Sequence, residues 1–444
     1  MTDQGWSPAI WLEFDEQGKI DASVATKLTA LLDADGVEDL VVMSHGWKND
    51  KNDATQLYGT LWANTIGNFP AGTAPRIIVT GVLWPAKAFQ TDFDAEALAS
   101  AEGGHTLGVT AGVAEDDLSE QEFERLLADF ERLLGDAGAA TIAAARIAAK
   151  ELTRTTSQAL VKQGATAVGI DAGSSDPELA RDASPIAKAT GNATEAQLLL
   201  GNLVDPPELK LAPTVGTVMG LGSAVQGLIA GSRAAVGRFL NQLTYYEMKK
   251  RAGIVGVSLA DTVLAKLKPA RPIRLHLVGH SFGGRLVTAA ANQLKSPVNL
   301  QLFSVTILQG AYSHNALARV VKPGLTGAFP SVVGKPTGPM VFTHTHNDLA
   351  CTIAYALASR LSRDTTQGIG DASDEFGAMG ANGPQKLAPG AAEPDDSTQA
   401  FAPKRGKVNT FLADKFIVKT PSIDAHNNIT NPTVGRLLAK TLLA

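Results

Sequence analysis

Gly279-His280-Ser281-Phe282-Gly283 sets a serine between two glycines, directly after the apolar run Ile273–Val278 and directly before a helix-like stretch from Gly284 to Leu294. A strand turning sharply into a helix leaves no room for side chains beside the turn. It also strains the central residue and lifts its side chain clear of the sheet. Ser281 Oγ would then project as a nucleophile. The next amide, that of Phe282, falls at a helix N-terminus, where N–H groups favour developing negative charge. The pentapeptide alone also fits an ordinary strand-helix turn, so the partners decide.

A serine hydroxyl attacks only when a base takes its proton, and the base needs a third group to fix its tautomer. When a nucleophile sits on such a turn, the partners follow in the order acid, then histidine. After Ser281 no Asp or Glu occurs before Asp348, just beyond the strand-like run Met340–His344. Beyond Asp348 the one histidine is His426, between the last strand-like and the last helix-like stretch. Asp348 would equally serve as N-cap of a helix over Leu349–Leu361. Asp364, Asp371 and Asp374 are the fallback acids, and Asp424 reads as a local loop residue.

The second donor to an oxyanion would come from Val41-Val42-Met43-Ser44-His45-Gly46-Trp47, a strand running into a His-Gly turn. The Trp47 amide is the candidate. His45 reads as a structural hydrogen-bonder that holds the turn.

These residues need a sheet whose strand ends bring them together. Strand-like runs at Ile10–Phe14, Leu40–Met43 and Arg76–Trp84 alternate with helix-like runs at Ser23–Leu32 and Asn52–Ile66. Such alternation specifies an α/β, doubly wound, mostly parallel sheet. After Pro85 the rhythm stops. Ser119–Leu134 is amphipathic, with Ser119 and Glu122 in capping-box spacing; Ala137–Lys162 reads as a second long helix and Gly164–Asn192 as loop. The strand pattern resumes at Ile273, continues with Leu300–Leu308, and ends with Phe411–Lys419 and a helix over Thr433–Leu443. The expected layout is therefore a core from 1–84 and 246–444 with a large helical cap inserted at 85–245. Arg363–Lys407 lacks periodicity, which in a compact domain suggests a functional or mobile loop.

With those pieces in order, the chain resembles the α/β-hydrolase superfamily. It is similar to a bacterial branch of serine hydrolases, esterase/lipase-like or serine peptidase-like. The matching stretches are Ser44-His-Gly-Trp-Lys-Asn, Gly81-Val-Leu-Trp-Pro-Ala-Lys, Tyr246-Glu-Met-Lys-Lys-Arg-Ala-Gly, Val278-Gly-His-Ser-Phe-Gly-Gly, Thr343-His-Thr-His-Asn-Asp and Phe376-Gly-Ala-Met-Gly. They cover the sheet core and leave 85–240 largely unmatched. The resemblance implies a Ser281, Asp348 and His426 triad, with the Phe282 and Trp47 amides as oxyanion donors. The chemistry expected is cleavage of carboxylic esters through an acyl-enzyme, without a cofactor. A peptidase or amidase would use the same triad, and a non-catalytic binding module is the reading from a different class.

Composition bounds the partners. With 39 basic against 44 acidic residues and a net charge of −5, no basic field exists to displace counterions from nucleic acid. The single cysteine, Cys351, cannot form an internal disulfide, and no secretory signal is visible at the N-terminus, so a cytoplasmic protein is expected. His344, His346 and Asp348 alternate along one strand as metal ligands sometimes do, but the adjoining histidine is missing and no metal is expected. Thr214–Gly231 runs eighteen residues without a charge but holds five glycines. A buried helix is favoured there over a lid that contacts a lipid-like ester or a membrane surface.

Overall fold

The computed structural model describes residues 6–47, 49–70, 76–86, 117–170, 174–204, 230–355, 372, 375–393, 395 and 401–444. Thr214–Gly231 up to residue 229, and Asp364, Asp371 and Asp374, lie outside the described residues.

Seven strands form one all-parallel sheet: β1 (Ile10–Glu13), β2 (Asp39–Ser44), β3 (Ile77–Leu83), β4 (Ile273–His280), β5 (Leu300–Leu308), β6 (Met340–His344) and β7 (Val408–Leu412), in the spatial order β1-β3-β2-β4-β5-β6-β7. Every neighbouring pair runs parallel. β2, fully buried, reads as an uninterrupted Leu-Val-Val-Met run because both its faces are covered.

Strand order reverses direction between β2 and β4. The chain leaves β2 toward β3 on one side and leaves β4 toward β5 on the other. Connections diverging this way open a crevice at the carboxyl ends of the two strands, the place where open parallel sheets bind ligands. The loop after β2 begins with His45-Gly46-Trp47, and β4 ends one residue before Ser281.

α1 (Ser23–Leu32) and α2 (Lys51–Ile66) precede the second and third strands. α2 starts with a reciprocal cap: Asp50 accepts from the Asn52 and Asp53 amides, and Asp53 accepts from the Asp50 amide. The last helix, α11 (Pro432–Leu442), begins with Asn431 capping the Thr433 and Val434 amides and a proline at its first position. α2 and this helix share one core with the sheet. Tyr58 and Leu61 meet Leu437 and Leu438 against Val41, Met43, Val278 and Val341.

Between β3 and β4 lie α3 (Glu120–Leu134), α4 (Ala139–Ala148), α5 (Arg154–Ala167), α6 (Pro177–Thr190), α7 (Ala193–Gly201) and α8 (Ser232–Ser258). Two compact units result. One is 1–86 with 249–351 and 378–444; the other is 87–248 with 352–377. The chain thus enters the helical unit twice, where the sequence marks one entry. α9 (Phe282–Gln293) and the short α10 (Met379–Asn382) belong to the sheet unit.

Four expectations need correction. Ser119 caps α3 with Glu122 as expected, but the helix expected over Ala137–Lys162 is interrupted at 149–153, where Thr153 and Thr156 form a new capping box and start α5. Gly164–Asn192 is not loop. Asp176 caps the Glu178 and Leu179 amides, Pro177 takes the first position, and Leu179, Ala183, Ile186 and Ala189 bury one face of α6 despite Pro185. The last strand is Val408–Leu412 rather than Phe411–Lys419, because the chain turns at Ala413. The Phe416 and Ile417 amides fold back onto the Ala413 carbonyl, and the Asp414 carboxylate is taken by Thr345 and His346 at the end of β6. The helix expected over Leu349–Leu361 is described as one π turn, Ala350–Ala354; residues 356–361 lie outside the described set.

Candidate active site

Ser281 joins β4 to α9 with φ 56° and ψ −127°, a left-handed conformation that a residue with a side chain holds only when its surroundings force it. The forcing is visible. Its amide donates to the Leu308 carbonyl of the neighbouring strand at 3.1 Å. A Cβ on Gly279 would collide with the Gly283 carbonyl, and one on Gly283 with the Ser44 and His45 carbonyls. Only glycine on both sides lets strand, turn and helix pack this closely. Phe282 is the first residue of α9, in the turn whose N–H groups have no acceptor within the helix.

His426 and Asp348 arrive from loops after β7 and β6. His426 Nε2 lies 2.9 Å from Ser281 Oγ, and His426 Nδ1 lies 2.7 Å from Asp348 Oδ2. The three residues, separated by up to 145 positions, therefore form one hydrogen-bonded chain. Asp348 is fully buried. Burial works against its charge, yet His426, the Gln309 side-chain amide (2.9 Å to Oδ2) and the Cys351 backbone amide (3.0 Å to Oδ1) hold its carboxyl below the usual range. All three neighbours donate, so Asp348 can only accept, as a carboxylate does. The Nδ1 position of His426 then carries the ring proton, and Nε2 is left to accept the Ser281 hydroxyl. The Asp348–Cys351 bond also shows that capping and orienting are not exclusive: one oxygen caps the turn and the other faces the imidazole.

The loop after β2 closes on the serine. A Cβ on Gly46 would lie 2.5 Å from Ser281 Cβ and 3.0 Å from its Oγ, so glycine is required for the approach. Trp47 and Phe282 pack edge-to-face with ring centroids 6.3 Å apart, bringing together the two residues whose amides are the candidate oxyanion donors. His45 is fully buried, with burial pushing its pKa down to about 4. Its Nδ1 donates to the Gly46 carbonyl at 2.8 Å, and its carbonyl accepts from the Trp84 indole at 3.1 Å. That is the structural role expected for it.

Three neighbours were not assigned to the site from the sequence. His280 donates through Nε2 to the His426 carbonyl at 2.9 Å, and burial, reinforced by His426, lowers its pKa to about 3. Cys351 Sγ lies 3.8 Å from His426 Nδ1, and burial together with Asp348 pushes its thiol well up, so it stays protonated. Gln309 is the third residue missed; its one sequence signal is a Gln-Gly pair at the end of a strand.

The alternating His344, His346 and Asp348 do not converge. His344 Nε2 pairs with Asp395 at 2.9 Å, His346 Nδ1 with Asp414 at 2.9 Å, and Asp348 with His426. Among the described residues, the group with metal-ligand atoms close together is Asp348, Cys351 and His426, all within 4.8 Å, and two of these are already bonded to each other. Among the described residues Asp424 bonds within its own loop, to Asn427 and Asn428. Among the described residues no helix is long and apolar enough to cross a membrane. No protein-family model, curated protein or solved structure matches the chain, so what the site can do rests on its own geometry.

Proposed function

We propose that this chain is a serine hydrolase of the α/β-hydrolase type, cleaving carboxylic esters through an acyl-enzyme on Ser281, with the helical unit as its cap. The observation that carries the proposal is the continuous hydrogen-bonded chain Ser281 Oγ–His426–Asp348, at 2.9 and 2.7 Å, centred on a serine held at φ 56°. Ordinary strand-helix turns have no reason to store such strain.

In the proposed reaction His426 Nε2 takes the Ser281 proton as Oγ attacks the ester carbonyl carbon. The carbonyl electron pair moves onto oxygen, where the Phe282 and Trp47 amides stabilise it. His426 then gives its proton to the departing alcohol as the C–O bond breaks, leaving the acyl group on Oγ. Water repeats the sequence and releases a carboxylic acid. Asp348 holds the Nδ1–H tautomer throughout and stabilises the imidazolium. No step calls on a cofactor. An ester is favoured over an amide because an alcohol leaves with less assistance, and a lipid-like or small neutral ester suits a site without a cationic side chain among its named groups. The lone buried cysteine is in keeping with a reducing, cytoplasmic setting.

A fluorophosphonate probe should label the wild type at Ser281 and leave Ser281→Ala unlabelled, and p-nitrophenyl esters should be turned over faster than the matching p-nitroanilides. Anilides cleaved at equal or higher rates would make the protein an amidase or peptidase. Failure of the folded wild type to label would leave a non-catalytic module.

A further inference from the structure

We propose that Gln309 is a positioning residue that fixes the plane of the Asp348 carboxylate and gauges its distance from the nucleophile. The assignment rests on Ser281 acting through His426 and Asp348 as proposed above.

Gln309 follows the last residue of β5 and stands at φ 47°, in the left-handed region, although it is not glycine and is fully buried. Strain at a buried non-glycine residue persists only where the surroundings over-determine it. Here the surroundings are the acid's own loop and the segment around Gly380. The side-chain nitrogen of Gln309 lies 2.9 Å from Asp348 Oδ2 and 3.0 Å from the Gly380 carbonyl. A carboxylate and a carbonyl only accept, so this end of the amide must be the NH₂ group, with one hydrogen for each acceptor.

The Gly380 acceptor is itself fixed. Its amide donates to the Gly310 carbonyl at 2.8 Å, its carbonyl also takes the Thr345 amide at 2.9 Å, and a Cβ there would lie 2.7 Å from both the Gln309 carbonyl carbon and Cys351 Sγ. The Gln309 backbone amide is held by Thr343 Oγ1 at 3.2 Å. The side chain is thus anchored independently of the acid it touches.

That independence matters. Of the bonds described at Asp348, the Cys351 amide holds one oxygen, and the other is shared by the Gln309 amide and the imidazole that the carboxylate is proposed to orient. With Gln309, Oδ2 has a second donor that does not move with His426. The adjacent residue completes the gauge: the Leu308 carbonyl accepts from the Ser281 amide at 3.1 Å. Two consecutive residues at the end of β5 therefore touch the nucleophile through the backbone and the acid through a side chain.

One further observation separates positioning from packing. The Gln309 Oε1 atom is buried and has no hydrogen-bond partner among the described residues. A buried polar atom left unmatched destabilises the fold, so the amide is retained here for its NH₂ half. Replacing it by an apolar side chain of similar length should spare stability while harming the reaction.

The test compares wild type, Gln309→Met and Gln309→Glu in ester hydrolysis, fluorophosphonate labelling and thermal unfolding. Gln309→Met is expected to lower kcat about 10–100-fold, the worth of one hydrogen bond to a charged group, with KM within about threefold and Tm within a few degrees of wild type, the lost donors being offset by removal of the unmatched Oε1. Gln309→Glu places a second carboxyl beside Asp348, facing also His426 and the Cys351 thiol, with His280 behind the imidazole. Ionised, it repels Asp348; protonated, it can donate to Oδ2 in place of the amide. Its activity relative to wild type should therefore rise as pH falls from about 8 to about 5.5. A Gln309→Met enzyme with unchanged kcat, a kcat loss matched by a collapse in Tm, or a Gln309→Glu ratio flat across pH would overturn the assignment. Wild type that fails to label would remove the triad reading and this assignment together, whereas wild type and variant labelling at equal rates would overturn the assignment alone.

Discussion

Replacing Asp348 by asparagine removes a charge and one acceptor while keeping the shape of the side chain. Donors that point at this fully buried carboxylate include His426 Nδ1 at 2.7 Å, the Gln309 amide at 2.9 Å and the Cys351 amide at 3.0 Å. Asparagine offers one oxygen and one NH₂. If its oxygen faces His426 and Gln309, its NH₂ confronts the Cys351 N–H. If the NH₂ faces His426, the imidazole can relieve the clash by moving its proton to Nε2, which then has a hydrogen where it must accept one from Ser281. The first arrangement loses the charge that stabilises the imidazolium; the second loses the base. Changes of this kind lower kcat by about 10⁴-fold, equivalent to about 5.5 kcal/mol of transition-state stabilisation. One unsatisfied buried donor costs about 1–3 kcal/mol of stability. Initial rates on a p-nitrophenyl ester, paired with circular-dichroism melting, separate the two effects. A folded Asp348→Asn enzyme within tenfold of wild type would refute the assignment of Asp348 as the orienting acid.

Three further outcomes follow from the same geometry. Ser281 holds φ 56°, which glycine adopts without strain, so Ser281→Gly should exceed Ser281→Ala in stability by about 1 kcal/mol in urea unfolding, after the entropy cost of glycine; equal midpoints would mean that the elbow is unstrained. Asp414 is pulled down to about 2, its burial outweighed by its bonds to His346 and Thr345, and His346 is raised above 6.5 by Asp414. The Asp414 contribution is present above about pH 3.8 and lost as pH falls through about 2, while the His346 contribution is present below about pH 6.5 and lost as pH rises through its raised value. Asp414→Asn should therefore cost on the order of 1 kcal/mol near pH 5.5 and less near pH 9, read from Tm across pH; a constant difference would contradict the pairing. At the opposite end of the sheet, Asp39 takes a bidentate bond from Arg274 at 2.7 and 2.8 Å and one from His276 at 3.0 Å. Asp39→Asn should cost on the order of 1 kcal/mol of stability but leave kcat of the folded enzyme unchanged; a loss of kcat without a loss of stability would place Asp39 in the reaction.

The sheet was legible because buried parallel strands must be apolar along their whole length. The expected run Ile273–Val278 and the observed Ile273–His280 differ only where the chain turns toward Ser281, and Leu300–Leu308 and Met340–His344 are found as expected. That Asp348 and His426 would meet Ser281 was legible because few candidates follow it, so elimination replaced geometry. What sequence periodicity missed was decided by side chains from distant positions. β7 ends early because Asp414 is captured by His346, 68 positions away. α6 was hidden by Ser184, Pro177 and Pro185 and by the glycines on either side of it, Gly173 and Gly191, though the Asp176 cap and the Leu179, Ala183 and Ile186 spacing announce it. Gln309 carries no local signature, since its role depends on Asp348 and Gly380 arriving from later in the chain.

The central claim is that Ser281 becomes acylated. Rapid quenching of the enzyme with p-nitrophenyl acetate, followed by peptide mass spectrometry, should find one acetyl group per chain on Ser281, together with a burst of p-nitrophenol matching the enzyme concentration. Turnover that proceeds with Ser281 unmodified, or with the acetyl group on any other residue, would contradict the account.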